Sequence, residues 1–274
     1  MKLSTEILAD QMRIDSLRMV NAAKASHIGS ALSVIDIIAV LYGQILVFDP
    51  ISPKYVDRDR FILSKGHACT ALYAALARCG FFPIDNLKTY GQNYSPLMNH
   101  VSHKVDGVEF STGSLGHGLS FGVGKALFAK VTKKKWKVYV VMSDGELDEG
   151  SNWEALMFAA HHQLDNITAI IDCNGLQSLT TVKDTLNLEP LATKLRAFGA
   201  EVQEIDGHNH RQLEESFLKF THGRPKVIIA HTTKGKGVSF MENSVAWHYK
   251  SPSDDQLSSA IAEIQQTARE RTSA

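Results

Sequence analysis

Two apolar runs constrain the fold of this 274-residue chain more than any other feature. An acidic, glycine-containing loop and a helical pattern separate them. Residues 138–142 and 167–171 are typical of buried strands, and the apolar spacing across residues 153–164 predicts a helix between them. Strands joined through a helix run parallel, so their carboxyl ends meet at one edge of the sheet. We therefore predict an α/β fold, a doubly wound and mostly parallel sheet with helices on both faces.

Polar residues follow both strands and would share that edge. Asp144 comes just after the first strand, and Asn174 follows the second. A carboxylate and an amide oxygen suit Mg²⁺ or Ca²⁺ better than zinc, and Mg²⁺ is usually held by few protein groups together with phosphate oxygens. Gly145 permits a phosphate to approach the backbone, and the next helix offers N–H groups to an anion. The spacing predicts a metal–diphosphate site, although an ordinary acidic loop with an aspartate cap fits it equally well.

The same stretch resembles the thiamine diphosphate motif of transketolases. The resemblance rests on Asp-Gly-Glu at 144–146, Glu-Gly at 149–150, Trp-Glu-Ala at 153–155 and the Asp-x-Asn string at 172–174. The family motif begins Gly-Asp-Gly, and Ser143 stands in place of its first glycine. The resemblance implies thiamine diphosphate and Mg²⁺ as cofactors, with Ca²⁺ or Mn²⁺ able to replace Mg²⁺.

The resemblance also implies which residues hold these cofactors. The metal ligands would be the Asp144 carboxylate, the Asn174 side chain and the backbone carbonyl of Leu176. Gly145 and Asn174 would contact the diphosphate. Glu149 stands where the family has a glutamate at the contact between two cofactor sites, which implies a cofactor-binding and interface position.

Two further strings resemble the family. Asp-Arg-Phe-Ile-Leu-Ser-Lys-Gly-His at 59–67 is among the most specific, and it implies that His67 contacts the cofactor diphosphate. The glycine-rich turn at 112–118 opens a helix of small residues, and it resembles a cofactor-binding turn. The contacts implied there are those of Gly113, Ser114 and Leu115.

Three more histidines, His27, His100 and His248, stand where the family has substrate-facing histidines. The resemblance implies that they move protons and stabilise negative charge on the sugar. A histidine between two helices would, without the resemblance, be a structural hydrogen-bonding group. The surrounding strings depart from the family at Ser26, Ile28, Val101, Ser102 and Tyr249.

Composition narrows the function class. Lys+Arg and Asp+Glu each number 29, and a formal net charge of zero argues against a general nucleic-acid binder. The three cysteines, Cys69, Cys79 and Cys173, show no Cys-x-x-Cys spacing, so we expect reduced thiols. Residues 1–10 lack the apolar core of a secretory signal, and no uncharged apolar stretch approaches the ~18–20 residues that cross a bilayer. We expect a soluble, cytoplasmic protein that binds neither nucleic acid nor membrane.

Helical patterns account for much of the remaining chain. Residues 7–25 predict an amphipathic helix. A second helix, from Ser33 as N-cap to residue 46, is apolar nearly all round, so we expect it to be buried in this domain or against another chain. Residues 81–112 show little periodicity, which is typical of a functional or disordered loop. Other helices are predicted at 68–79, 118–131, 188–198, 212–222 and 254–271, and other strands at 60–63, 201–205 and 226–230.

A pair of histidines after the fourth predicted strand needs a separate interpretation. His208 and His210 would suggest a metal or nuclease site, but no acidic pair or cysteine accompanies them in the sequence. We therefore predict that they belong to a turn that starts a helix.

The family resemblance extends from His27 to His248 and covers only the amino-terminal part of a full-length transketolase. It implies one domain over residues 1–274, with the pyrimidine-binding and carboxyl-terminal domains on a partner chain in an α₂β₂ assembly. The implied protein is the amino-terminal subunit of a split, bacterial-type transketolase, which transfers a two-carbon ketol unit between sugars that are usually phosphorylated. Two alternatives stay open: the α chain of a 2-oxo acid dehydrogenase, which shares the motif, and a non-catalytic cofactor-binding subunit.

Overall fold

The computed structural model describes residues 4–273, in which five strands form one parallel sheet of order β1-β2-β3-β5-β4. The first three residues of the segment 1–10 lie outside the described residues. The strands are β1 (Arg60–Leu63), β2 (Val138–Ser143), β3 (Ile167–Cys173), β4 (Glu201–Asp206) and β5 (Lys226–His231). The helices are α1 (Thr5–Ala23), α2 (Ile28–Val40), α3 (Cys69–Arg78), α4 (Gly118–Val131), α5 (Gly150–His161), α6 (Val182–Thr185), α7 (Leu191–Ala197), α8 (His210–Leu218) and α9 (Asp254–Ser273).

Helices cover both faces of this sheet. Because side chains alternate along a strand, Tyr139 and Val141 of β2 join an apolar cluster with α1, α2, α3, α8 and α9. Val138, Val140 and Met142 of the same strand face the other way and join a second cluster with α4, α5 and α7. The predicted doubly wound α/β fold is therefore confirmed.

Helix α2 is deeply buried on the first face, since all of its residues are buried within this chain. The prediction that Ser33 is its N-cap is wrong. The helix begins at Ile28, and His27 is the N-cap, with φ 75° in the left-handed region. Ser33 lies inside the helix, where its Oγ donates to Asp172 Oδ2 at 2.6 Å. Because this chain buries the helix by itself, the apolar surface of α2 is no evidence for an interface with a second chain.

The same segment meets the length and composition of a membrane span. The 18-residue window Ile28–Ile45, which includes a π-helical turn at Leu41–Ile45, has a mean hydropathy of 1.7. It is not an uncharged apolar stretch of the kind that the sequence was expected to lack. Asp36 interrupts the window, and 83% of it is buried in the fold, as in the core helix of a globular protein.

Other helix boundaries also differ from the predicted ones, and three of the helix starts show the local reason. Helix α5 begins at Gly150, directly after the extended backbone of Glu149. Helix α7 begins only after Pro190, which takes the N-cap position. Helix α8 begins at His210, because the Asn209 side chain accepts the backbone N–H of Gln212 at 3.1 Å.

The long loop at 81–112 is anchored to the end of β1. It contains a 3₁₀ turn at Ile84–Thr89. The Tyr73 hydroxyl donates to the His100 carbonyl at 3.0 Å, and the Val101 N–H donates to the Gly66 carbonyl at 3.3 Å. These bonds bring His100 to the carboxyl edge of the sheet. The register of the strands sets Ser143 beside Asp172 and Cys173 beside His231, so the loops after β2, β3 and β5 meet at that edge.

Candidate functional site

A cavity of about 240 Å³ opens at the carboxyl edge of the sheet. Most of the residues predicted from the sequence line it. They are His27, His67, His100, Gly113, Leu115, Asp144, Gly145, Asn174, Leu176 and His248. Ser114 and Glu149 are exposed outside this lining, Ser114 on the turn beside Gly113 and Glu149 at the start of α5.

The Asp144 carboxylate is buried and held by the backbone. Its Oδ1 accepts the Gly145 N–H at 2.8 Å, and its Oδ2 accepts the Gly175 N–H at 2.6 Å. Burial and the nearby Asp172 carboxylate raise the pKa of Asp144 to about 6. A cation bound at this carboxylate would therefore relieve an unfavourable burial of negative charge.

The loop after β3 adds further oxygen atoms to the side of the cavity that contains Asp144. The Asn174 Oδ1 accepts the Leu176 N–H at 3.1 Å, and the Asn174 amide donates to Asp172 Oδ2 at 3.3 Å. Gly145 is tightly packed here, since a Cβ on it would lie 2.9 Å from the Gln177 side chain. The two loops thus form one wall with a carboxylate, an amide oxygen and the Leu176 carbonyl.

Lys65 and Asp172 form an ion pair beneath this wall that the sequence interpretation missed. Both side chains are almost fully buried, and Lys65 is also one of the residues that line the cavity. Asp172 additionally accepts hydrogen bonds from Ser33 and Thr232. Burial opposes its charge, but Lys65 and these hydrogen bonds hold the pKa of Asp172 below its usual value. Lys65 comes two residues after β1, at the carboxyl edge of the sheet, but its partner Asp172 is 107 positions away, so no local signal marks the pair.

Lys234 is a second buried cation that the sequence interpretation passed over. Its ammonium donates to the carbonyls of Leu176 and Gln177, at 3.2 and 2.8 Å. It also lies 3.1 Å from His248 Nδ1. Because an ammonium only donates, Nδ1 of His248 accepts, and the proton of the neutral ring sits on Nε2. Burial, with the nearby Lys65 ammonium, lowers the pKa of Lys234 to about 8.

Four histidine rings cluster at the opposite side of the cavity. The centroid of His27 lies 5.2 Å from that of His67, 5.8 Å from that of His100 and 5.0 Å from that of His248. Burial is the first cause that lowers the pKa of each ring, to about 4 for His27 and about 3 for His248. The neighbouring lysines lower the pKa of His27, His67 and His248 further. All four rings are therefore neutral near pH 7, and each can donate and accept one hydrogen bond.

His27 owes its position to an uncommon backbone conformation. Its φ of 75° is in the left-handed region, which non-glycine residues seldom adopt. The His27 N–H donates to the His248 carbonyl at 2.7 Å, and the Ser26 hydroxyl donates to the Tyr249 carbonyl at 3.1 Å. These bonds tie the turn before α2 to the segment that carries His248, so two histidines distant in sequence share one wall.

The glycine-rich turn before α4 is fixed by a buried carboxylate. The Glu146 Oε1 accepts the Gly116 N–H at 2.9 Å and the Ser64 hydroxyl, whose oxygen in turn accepts the Gly118 N–H at 3.1 Å. Burial raises the pKa of Glu146. A Cβ on Gly113 would lie 3.4 Å from the His100 ring, so the turn packs directly against that histidine.

These residues fit a magnesium–diphosphate group. Within residues 4–273, no cluster of three or more His, Cys, Asp or Glu side chains could hold a metal ion. A metal would therefore depend on Asp144, on the neutral oxygens of Asn174 and Leu176, and on oxygens from its ligand, which is the usual pattern for Mg²⁺. The buried ammonium groups of Lys65 and Lys234 complement an anionic ligand.

Comparison with known proteins gives consistent matches over nearly the whole chain. The family model described as "Transketolase, thiamine diphosphate binding domain" matches residues 4–266. The chain is 41% identical to a subunit of the apulose-4-phosphate transketolase of Phocaeicola vulgatus, over 94% of this chain and 93% of that protein. It is 38% identical to a subunit of the 6-deoxy-6-sulfo-D-fructose transketolase of Clostridium sp., over 94% of each. The crystal structure of Campylobacter jejuni transketolase superposes with a TM-score of 0.90 at 31% identity, over 97% of this chain but 43% of that one.

Proposed function

The chain belongs to the transketolase family, as a counterpart of the amino-terminal subunit of split transketolases, and we propose that it binds Mg²⁺ and the diphosphate end of thiamine diphosphate for ketol transfer. One observation carries this proposal. Oxygen donors, close-packed glycines, two buried ammonium groups and four neutral histidines all line one cavity of about 240 Å³. We propose further that residues 1–274 act as a single domain in the cytoplasm.

In this proposal, different groups of cavity residues bind the metal ion and the diphosphate. Asp144, Asn174 and the Leu176 carbonyl would hold Mg²⁺, and Gly113, Leu115, Gly145 and His67 would contact the diphosphate. The Lys65 and Lys234 ammonium groups would offset the remaining negative charge, which is costly to bury unpaired. Ser114 and Glu149, which stand outside the lining, would act at the mouth of the site and at a subunit contact.

The histidine wall would manage protons in the transfer. Thiamine diphosphate, when bound, supplies a nucleophilic thiazolium carbon for the ketose carbonyl. The C2–C3 bond of the ketose would break, its C3 hydroxyl would lose a proton, and a shorter aldose would leave. The two-carbon unit would then bond to the carbonyl carbon of the acceptor aldose, whose oxygen would gain a proton. His27 and His100 would take up and return these protons, since each is neutral with one donor and one acceptor nitrogen. His248 would instead donate a hydrogen bond to a sugar oxygen, since its acceptor nitrogen is already bound to Lys234. The Lys234 bond leaves the His248 Nε2–H free to donate.

The remaining half of the site would come from a partner chain. This chain spans 93% of the Phocaeicola vulgatus protein but 43% of the Campylobacter jejuni transketolase, so the carboxyl-terminal domains would lie on a separate chain, in an α₂β₂ complex. The substrates named for the relatives are anionic ketoses, a phosphate and a sulfonate. We propose a ketose donor and an aldose acceptor of that charge class.

An assay of the assembled complex tests the function against its alternatives. We expect transfer of a two-carbon unit from a ketose phosphate, such as xylulose 5-phosphate, to an aldose phosphate. The 2-oxo acid dehydrogenase alternative is disfavoured by the transketolase matches over the full chain, and turnover of a branched 2-oxo acid without ketol transfer would revive it. Tight cofactor binding without turnover of any sugar would instead indicate a non-catalytic subunit.

A further inference from the structure

A buried polar cluster stands behind the cavity, at the histidine pair that the sequence assigned to a helix-starting turn. Asp36 on α2 is its centre. Its Oδ2 accepts from Arg13 at 2.5 Å and from His208 Nδ1 at 2.7 Å, and its Oδ1 accepts from His210 Nε2 at 3.1 Å. Burial opposes the charge, but Arg13 and the two histidines hold the pKa of Asp36 well below its usual range. The cluster therefore holds a permanent anion inside the fold.

The two histidines use this anion differently. When His208 donates from Nδ1 to Asp36, its Nε2 is left as an acceptor, and the Thr233 N–H donates to it at 2.8 Å. His210 donates from Nε2 to the same carboxylate, but its Nδ1 lies 2.7 Å from the Thr5 hydroxyl on α1. His208 thus connects Asp36 to the loop after β5, whereas His210 connects it to a helix.

Residues 232–237, the β5 loop, are held at both ends. His208 binds the Thr233 N–H, and Arg13 Nε donates to the Lys236 carbonyl at 3.3 Å. The Gly235 N–H donates to the Gly29 carbonyl at 3.0 Å. Lys234 lies between these attachments and extends into the cavity, where it reaches the Leu176 and Gln177 carbonyls and His248 Nδ1.

We infer that Asp36 and His208 are positioning residues, which fix the β5 loop so that Lys234 can hold the Leu176 carbonyl and the His248 tautomer. The inference rests on the proposed function, since it assigns that loop to the cofactor site. The carboxylate selects the histidine tautomer, the histidine then binds one backbone N–H, and that bond sets the starting point of the Lys234 side chain. Neither residue lines the cavity itself.

The test separates this role from a general contribution to stability. His208→Asn keeps a donor near the Nδ1 position but loses the acceptor for Thr233. His208→Gln can place its amide oxygen near the Nε2 position and so restores that acceptor. His210→Gln is the matched control, because it makes the same replacement at the other histidine on this carboxylate, which has no direct hydrogen bond to the β5 loop.

Two measurements decide the outcome. In the free full-length chain, ¹⁵N NMR should show His208 protonated on Nδ1, and the Thr233 amide should lose exchange protection in His208→Asn but keep it in the other two variants. In the assembled complex with Mg²⁺, calorimetry should show thiamine diphosphate affinity reduced about 10–100-fold in His208→Asn. The affinity should largely recover in His208→Gln and stay within a few-fold of wild type in His210→Gln.

The contrary results are distinct from a failure of the proposed function. Equal losses of affinity in the His208→Asn and His210→Gln complexes would reduce the cluster to a stability element, and unchanged Thr233 protection in His208→Asn would remove the proposed link. A wild-type complex that fails to bind thiamine diphosphate would refute the proposed function, while the amide measurement would still decide whether His208 fixes the loop.

Discussion

At the scale of single residues, Asp144 illustrates how the fold prepares a carboxylate for a cation. Two backbone N–H groups fix both of its oxygens, and its position at the end of β2 leaves it buried beside Asp172. Such a carboxylate is ordered before any ligand arrives, so little conformational entropy remains to be lost on binding.

We expect Asp144→Ala to lower Mg²⁺-dependent thiamine diphosphate affinity in the assembled complex by more than about 100-fold, beyond the effect typical of a residue that only supports a ligand. Asn174→Ala should act in the same direction. Asp85→Asn is the matched control, because Asp85 pairs with the exposed Lys88 and lies outside the cavity lining. Calorimetry that returns wild-type affinity for both cavity variants would refute the metal assignment.

The neutral histidines should make folding sensitive to acid. Burial lowers the pKa of His27 to about 4, whereas the unfolded chain takes up that proton near pH ~6.5. Between these values the unfolded state binds more protons, so the stability that His27 contributes above pH ~6.5 is lost as the pH falls toward 4. We expect the free energy of unfolding of the wild type to fall relative to that of His27→Asn as the pH is lowered over this range. Asparagine is the chosen replacement because it also tolerates the left-handed backbone.

Urea unfolding at stepped pH measures this difference. The variant His103→Asn is the control, because His103 is exposed and outside the cavity. A constant gap between wild type and His27→Asn across the range would show that His27 is not held neutral in the folded chain.

How far the sequence predicts individual residues depends on the distance between partners. The Asp144–Leu176 wall is formed by one strand–helix–strand unit, so local spacing was enough to bring it together. The Lys65–Asp172 pair joins residues 107 positions apart, and Lys234 reaches a carbonyl 58 positions away. No local pattern marks such pairs, and a lysine in a string is interpreted as a surface residue until the packing is known.

At the scale of elements, helix α4 shows how small residues set the distance between a helix and the sheet. Gly122 faces β2, where a Cβ would lie 2.6 Å from Val140 Cγ2. Gly124 lies on the same helix with no heavy atom within 4 Å of an added Cβ. The two glycines therefore form a matched pair with the same helical environment and opposite packing.

We expect Gly122→Ala to destabilise the chain by about 1–3 kcal/mol, because the methyl group overpacks against β2. Gly124→Ala should stabilise it by about 0.5–1 kcal/mol, because alanine restricts the unfolded chain and favours the helix. Urea denaturation of both variants checks the pair. Similar changes of the same sign would mean that α4 does not lie against β2 as described.

Helix boundaries were harder to predict than helix existence. Helix α2 begins at Ile28, whereas the sequence predicted Ser33 as its N-cap. The His27 N–H at this start donates to the His248 carbonyl, and a tertiary contact of this kind cannot be predicted from local capping residues. Conversely, Ser33 has the chemistry of a cap but binds the buried Asp172 instead. Local propensity favours one boundary, and a tertiary contact can override it.

At the scale of the whole molecule, the sheet order puts every loop of the cavity on one edge. Parallel pairing of all five described strands was predictable, because the apolar runs alternate with helical patterns. The order itself was not predicted, since β4 pairs only with β5 at the far side of the sheet. Residues from the loops after β1, β2, β3 and β5 line the cavity. The loop after β4 does not line it, but His208 in that loop accepts a hydrogen bond from Thr233 of the β5 loop.

This one-sided construction leads to the prediction for the assembly. The cavity contains groups for the diphosphate end of the cofactor, and the chain matches 43% of the Campylobacter jejuni transketolase but 93% of the Phocaeicola vulgatus protein. We expect the chain alone, with Mg²⁺ and thiamine diphosphate, to have at least about 100-fold less ketol-transfer activity than the assembled complex, because the reacting carbon would not be held in place. Thiamine diphosphate should also bind the assembly more tightly than the free chain.

Titration of the chain with its partner provides the measurement. Activity should rise until the two chains are equimolar, and light scattering should then give the mass of two copies of each. Glu149→Ala should weaken this assembly if the exposed glutamate is at the subunit contact. Arg224→Ala, which breaks an ion pair with Glu201 on the edge strand β4, should leave the assembly unchanged. Robust ketol transfer by the chain without any partner would disprove the split-enzyme proposal, because one chain would then supply both halves of the site.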